Sequence, residues 1–166
     1  MISIPYGKTH IDCDIPYHGL LTSRIEELAG EKPGIDLVQE ALENPIGSSR
    51  LEELAAGKKT CTIIISDHTR PVPSRDILPP MLRTLRQGNP DIAITLLVAT
   101  GFHRPTTTAE LEAKLGAEIA ANEKIVVHDA FDPASNVEIG VLPSGAPLVI
   151  DRAAVETDLL VSEGFI

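Results

Sequence analysis

Tryptophan is absent from these 166 residues, and the only other aromatics are two Tyr and three Phe. A core without large rings has to be filled by Ile, Leu, Val and Ala. The hydrophobic content of 43% supplies enough of them to exclude a disordered segment. Positive charge is also short: 14 Lys and Arg face 24 Asp and Glu, a formal net charge of −10. Such a chain lacks the basic footprint that displaces counterions, so no nucleic-acid partner is expected. Cysteine is limited to Cys13 and Cys61, with no C-x-x-C spacing. That gives no disulfide framework, and Cys61 reads as a small core residue. No apolar run approaches bilayer length, which argues against a membrane span. The opening Met1-Ile2-Ser3-Ile4-Pro5-Tyr6-Gly7-Lys8 has neither the basic nor the apolar region of a secretory leader. A single cytoplasmic domain is the expectation. Neither G-x-G-x-x-G nor G-x-x-x-x-G-K-[ST] occurs, and no H-E-x-x-H spacing supports a metal site.

What is present is an alternation of strand and helix signals. Residues 2–15 read as a short β entry, with Ile11, Cys13 and Ile15 alternating with Asp12 and Asp14. Helical spacing covers 35–43 and stops at Asn44-Pro45. Ser49-Arg50-Leu51-Glu52 is a capping-box pattern for a short helix ending at Gly57. Strands are expected at 61–65, 92–98, 125–127 and 159–161. A hairpin is expected over 137–150, with its turn at Pro143-Ser144-Gly145-Ala146. Ser74 reads as the cap of a helix to Gln87 with Gly88 as its stop; Pro79-Pro80 inside it predicts an irregular first turn or a kink. Thr107-Thr108-Ala109-Glu110 opens a helix through Leu115, and 153–156 is a brief helical stretch. This order gives an α/β fold: a mainly parallel sheet flanked by helices, Rossmann-like, with a C-terminal β-hairpin. The last strand runs straight into Ser162-Glu163-Gly164, which reads as an incomplete domain.

Two strands end in matching polar loops. Cys61-Thr62-Ile63-Ile64-Ile65 leads into Ser66-Asp67-His68-Thr69-Arg70-Pro71-Val72-Pro73-Ser74. Ile92-Ala93-Ile94-Thr95-Leu96-Leu97-Val98 leads into Ala99-Thr100-Gly101-Phe102-His103-Arg104-Pro105-Thr106. In open α/β sheets the ligand crevice lies outside the carboxyl ends of the strands. His103 comes just after Gly101, where the chain can turn sharply, and its imidazole can exchange a proton near neutral pH. Arg70 suits a carboxylate or phosphate, because its planar fork grips two oxygens. Asp67 could orient Arg70 or a histidine, or form a salt bridge with Arg70 that merely stiffens the loop. His68 is expected to point away from Asp67; His128-Asp129, at the end of the third strand, either belong to the same crevice or simply cap a turn, the second being favoured.

The pair Ser66-Asp67-His68-Thr69-Arg70-Pro71 and Ala99-Thr100-Gly101-Phe102-His103-Arg104-Pro105 resembles the lactate racemase family, the nickel-pincer-nucleotide enzymes. Ile4-Pro5-Tyr6-Gly7, His128-Asp129-Ala130 and Ser162-Glu163-Gly164-Phe165 resemble it too, in the family's order. The resemblance implies two α/β domains with the active site in the cleft between them. It implies racemisation of a small 2-hydroxy acid, with hydride leaving C2 for a nickel-pincer nucleotide while a histidine takes the hydroxyl proton. By position, His103 matches that acid/base, and Asp67 and Arg70 an active-site pair. Arg70 and Arg104 are expected at the substrate, Thr69 and Gly101 at the cofactor, and no metal ligand within this segment. A second histidine, an anchoring lysine, a nickel-ligating histidine and the second domain are expected in a C-terminal portion that these residues do not include. The alternative expectation is a non-enzymatic α/β module holding an anionic metabolite through Arg70 and Arg104; hydrolysis by His103 and Asp67 is a third.

Overall fold

The computed structural model describes residues 1–16, 18–21 and 30–164. The chain forms two units, Met1–Glu31 and Lys32–Ile166. In the first, β1 (Ile2–Tyr6) and β2 (Thr9–Cys13) pair antiparallel with Ile4 opposite Ile11. Gly7, at φ +61°, makes the turn, a backbone state that glycine adopts without steric cost. The strand stops at Cys13, so the alternation read as far as Ile15 overshoots by two residues.

The second unit is built on a four-stranded parallel sheet. Its strands are β3 (Thr60–Ser66), β4 (Ala93–Ala99), β5 (Lys124–Val127) and β8 (Leu159–Ser162), in the order β5-β4-β3-β8. β3 and β4 lie side by side, Cys61 opposite Ile94 and Ser66 opposite Ala99. Being central, they are apolar on both faces, which is why they read as continuous Ile, Leu and Val runs. Ile63, Ile65, Leu96 and Val98 are fully buried.

Helices complete the core. α1 (Gly34–Glu43) and α2 (Leu51–Ala55) pack on α3 (Ser74–Gly88), whose Leu78, Leu82 and Leu85 join Ile63 and Leu96 in one cluster. α4 (Thr108–Leu115) and α5 (Ala117–Asn122) lie between β4 and β5 in the chain, and α5 is an element the sequence pattern did not reveal. The antiparallel hairpin of β6 (Asn136–Val141) and β7 (Pro147–Asp151) leads through α6 (Arg152–Val155) to β8. A parallel sheet flanked by helices, with antiparallel hairpins, is the fold class expected. Among the described residues no helix is long and apolar enough to cross a membrane.

Two local expectations are corrected. Ser74 is not the cap of α3; Pro73 occupies that position and the Ser74 hydroxyl goes instead to Glu163, at 2.6 Å. Pro79 and Pro80 lie inside the helix, as read, among the buried Leu78, Met81 and Leu82. The cap position of α2 is Arg50, one residue later than Ser49, with Glu53 reaching back to the Arg50 N–H at 3.2 Å. The Thr107 cap is as read: its hydroxyl accepts from the Glu110 N–H at 3.3 Å while Glu110 accepts from the Thr107 N–H at 2.9 Å.

Candidate active site at the carboxyl edge of the sheet

The strand order places the crevice. From β3 the chain adds β4 and then β5 on one side, then returns to lay β8 on the other. The connections therefore diverge at β3, and such switch points are where open sheets bind ligands. The loops after β3 and β4 and the end of β8 meet there. They enclose a cavity of about 520 Å³ bordered by Asp67, Arg70, Gly101, Phe102, His103 and Glu163.

Asp67 is the anchor. It is 2% exposed, and each of its oxygens is used. Oδ1 accepts from the Thr69 N–H at 3.0 Å and the Thr69 hydroxyl at 2.6 Å. Oδ2 meets His103 Nδ1 at 2.6 Å. Burial works to raise the Asp67 pKa, but the Thr69 hydroxyl, the His103 ring and the Thr69 N–H outweigh it and hold the carboxyl below its usual range. An ionised carboxylate can only accept, so Nδ1 of His103 carries the proton and Nε2 of the neutral ring is left with a lone pair. The ring is half exposed. Gly101 makes the turn that brings it there, with φ +55°, and the His103 N–H is tied to the Thr100 carbonyl at 3.0 Å. An imidazole oriented in this way is chemically able to accept a proton at Nε2.

The arginines separate. Asp67 makes no salt bridge with Arg70 in this structure: only the Arg70 backbone N–H reaches it, at the Asp67 carbonyl, 3.3 Å. Arg70 borders the crevice, exposed, and among the described residues its guanidinium has no hydrogen-bonded partner. Arg104 instead grips Glu110 with both arms of its fork, at 2.9 and 2.5 Å, and adds the Pro105 carbonyl at 3.1 Å. His68 does not point away from Asp67 as the extended reading expects. The chain turns at 68–69, so its Nδ1 lies 3.8 Å from Asp67 Oδ2 and 3.1 Å from the Thr106 hydroxyl.

Two more residues join the site, Glu163 from the Ser162-Glu163-Gly164 strand end and Lys114, which has no sequence signal. Glu163, at the end of β8, accepts from the Ser74 hydroxyl, while its Oε2 is buried without a partner among the described residues. Burial pushes its pKa up, against the opposing pull of the Ser74 hydroxyl and the Lys114 charge. Lys114 on α4 donates to the Arg70 carbonyl at 3.2 Å, and burial pulls its pKa down. Phe102 and Phe131, both largely exposed, meet edge to face with ring centroids 5.5 Å apart on the rim beside His103.

A family model described as the lactate racemase N-terminal domain matches residues 6–166. The chain belongs to that family. It is 49% identical to the lactate racemase of Thermoanaerobacterium thermosaccharolyticum and 50% identical to that of Lactiplantibacillus plantarum, in each case over 99% of this chain. It spans 39% and 40% of those two proteins. The solved lactate racemase apoprotein from the Thermoanaerobacterium superposes with a TM-score of 0.86 at 48% identity, over 99% of this chain and 38% of that one. A Thermotoga maritima protein, at 20% identity and a TM-score of 0.56, shares the fold over 78% of this chain. The lactate racemase N-terminal family thus accounts for the fold, and its relatives extend well beyond the length seen here.

A nickel-pincer nucleotide can be tested against these residues. Among the described residues no group of three or more His, Cys, Asp or Glu side chains is placed to hold a metal ion. Gly101 faces open space, with no atom of the described residues within 4 Å of where a Cβ would stand, and Arg70 is uncommitted beside it. Both Thr69 donors are taken by Asp67. The opening at Gly101 therefore has room for the organic part of such a cofactor.

Proposed function

We propose that this chain is the N-terminal part of an enzyme that interconverts the stereoisomers of a small 2-hydroxy acid, lactate being the acid named for its relatives. The observation that carries the reading is the Asp67–His103 pair, which aims a basic Nε2 into a crevice beside an unpaired Arg70. Arg70 holds the substrate carboxylate with its planar fork, which fixes C2 near His103. Nε2 of His103 takes the proton of the C2 hydroxyl, and Asp67 stabilises the imidazolium so formed. The alkoxide character this creates is what lets hydride leave C2. A bound nickel-pincer nucleotide would supply the hydride acceptor for this chemistry. Gly101 leaves room for it, and Lys114 holds the Arg70 loop in place through its carbonyl. A cytoplasmic setting and completion of the site by a C-terminal portion of the same protein belong to this reading. A non-enzymatic module that binds anions through Arg70 and Arg104 together fits less well, because Glu110 already occupies the Arg104 fork.

The test is steady-state racemisation by the full-length enzyme, normalised to bound nickel. His103→Ala is expected to lower kcat by about 10²–10⁴-fold with cofactor loading intact. Arg70→Lys is expected chiefly to raise KM, since a point charge replaces a two-pronged grip. Near wild-type kcat in His103→Ala would remove His103 from the chemistry.

A further inference from the structure

The acid/base loop is braced from the far side by a second Asp–His pair. His128 Nδ1 meets Asp151 Oδ2 at 2.9 Å. Asp151 is 6% exposed, and its other oxygen accepts from the Ala153 N–H at 2.8 Å. This repeats the geometry of Asp67, whose Oδ1 likewise caps the residue two positions on. His128 sits just past β5, with its N–H on the Val98 carbonyl at 3.1 Å, and its own carbonyl accepts from the Thr100 hydroxyl at 2.6 Å. Thr100 is 2% exposed, and its carbonyl in turn holds the His103 N–H. The contacts form one continuous run, Asp151 to His128 to Thr100 to His103 to Asp67, across the ends of β7, β5, β4 and β3. His103 and His128 border the same cavity, of about 330 Å³.

We propose that Thr100, His128 and Asp151 are positioning residues for His103. His103 is half exposed and lies two residues after a glycine in the left-handed region, so neither burial nor local backbone preference fixes its ring. Asp67 fixes one ring nitrogen. The backbone that carries the ring is fixed by Thr100, and Thr100 is fixed by the carbonyl of a residue whose side chain Asp151 clamps. A base misplaced by an ångström loses much of its effect, because reacting atoms must start within about 3–3.5 Å. This inference rests on the assignment of His103 as the base.

The experiment compares Thr100→Val, Thr100→Ser, His128→Phe and His128→Asn in the full-length enzyme. The readouts are kcat, KM and the low-field proton NMR resonance of the His103 Nδ1–H. Thr100→Val has the same shape and lacks the hydroxyl. It is expected to lower kcat about tenfold, the equivalent of one lost hydrogen bond, with KM within roughly twofold. It should also shift or broaden the low-field resonance, and Thr100→Ser should restore both. His128→Phe should act like Thr100→Val. His128→Asn, whose amide N–H can stand where Nδ1 stood, should recover most of the loss. Unchanged kcat and resonance in Thr100→Val, with only a lower melting temperature, would overturn the proposal. So would equal damage from His128→Asn and His128→Phe, which would mean that the ring itself acts. Should the racemase assignment fail, the resonance still reports whether Thr100 and His128 place the His103 ring.

Discussion

Asp67 and His103 stand 36 residues apart in the chain and 2.6 Å apart in space, joined across the ends of two adjacent parallel strands. The register that pairs Ser66 with Ala99 sets the two loops level, and the Thr69 turn leaves one Asp67 oxygen for the ring. The pair is thus a product of sheet register as much as of either loop.

Asp67→Asn should be nearly as damaging to turnover as loss of His103. Both Thr69 donors demand an oxygen at the Oδ1 position, so the asparagine amide nitrogen must take the place of Oδ2. It then donates to Nδ1 and moves the ring proton to Nε2, which removes the base. The expected fall in kcat is about 10²–10⁴-fold, with KM little changed. Steady-state kinetics on nickel-quantified enzyme checks it. A kcat within a few-fold of wild type would show that the tautomer is not set by Asp67.

Glu163→Gln should reveal opposing pH effects on stability. The folded-state pKa of Asp67 is lowered, so its contribution is present above the unfolded value, about 3.9, and is lost as pH falls through the folded value. The folded-state pKa of Glu163 is raised, so its contribution is present below the unfolded value, about 4.3, and is lost as pH rises through the folded value. Glu163→Gln should therefore be more stable than wild type at pH 7, and the gap should close as pH falls below about 4. Urea unfolding midpoints across that range provide the measurement; a constant gap would contradict the assignment.

Gly88→Ala should destabilise the fold without touching the site. A Cβ at Gly88 would stand 2.1 Å from the Glu52 carbonyl oxygen, and a backbone atom cannot step aside as a side chain can. The α2–α3 contact would have to open, at roughly 1–3 kcal/mol. Equilibrium denaturation reads this directly, and an unchanged midpoint would mean that the two helices part at little cost.

Arg104→Ala and Arg70→Ala should part company. Arg104 spends its fork on Glu110, so its loss should leave KM within roughly twofold, as for other exposed pairs. Arg70 has no such partner among the described residues, and its loss should raise KM strongly. Equal KM effects would return Arg104 to the substrate.

Much of this was legible in the sequence because β3 and β4 are buried on both faces. Ile63-Ile64-Ile65 and Leu96-Leu97-Val98 announce central strands, and chemistry collects in the loops at the carboxyl ends of such strands. The Thr107 box was legible because both halves of it lie within four residues. Ser74 misled because its hydroxyl serves a carboxylate 89 residues away rather than its own helix. The Arg104 contact with Glu110, in the first turn of α4, was not legible, because nothing in the Arg104 loop discloses it. Lys114 and Asp151 gave no signal, since each acts through neighbours that only the fold brings near; Glu163 stood out at its strand end, but its bond to Ser74 did not.

β8 closes one side of β3, with Cys61 opposite Leu159 and Ile64 opposite Ser162. Strand β3 is thus complete early in synthesis but waits almost a hundred residues for its neighbour. At about 5–20 residues per second on the ribosome, an isoleucine-rich edge stays unpaired for seconds or more, and such edges invite pairing with other chains. The strand that delivers Glu163 to the crevice is also the one that covers the isoleucine-rich edge of β3, so the same late event protects the nascent strand and brings in a site carboxylate.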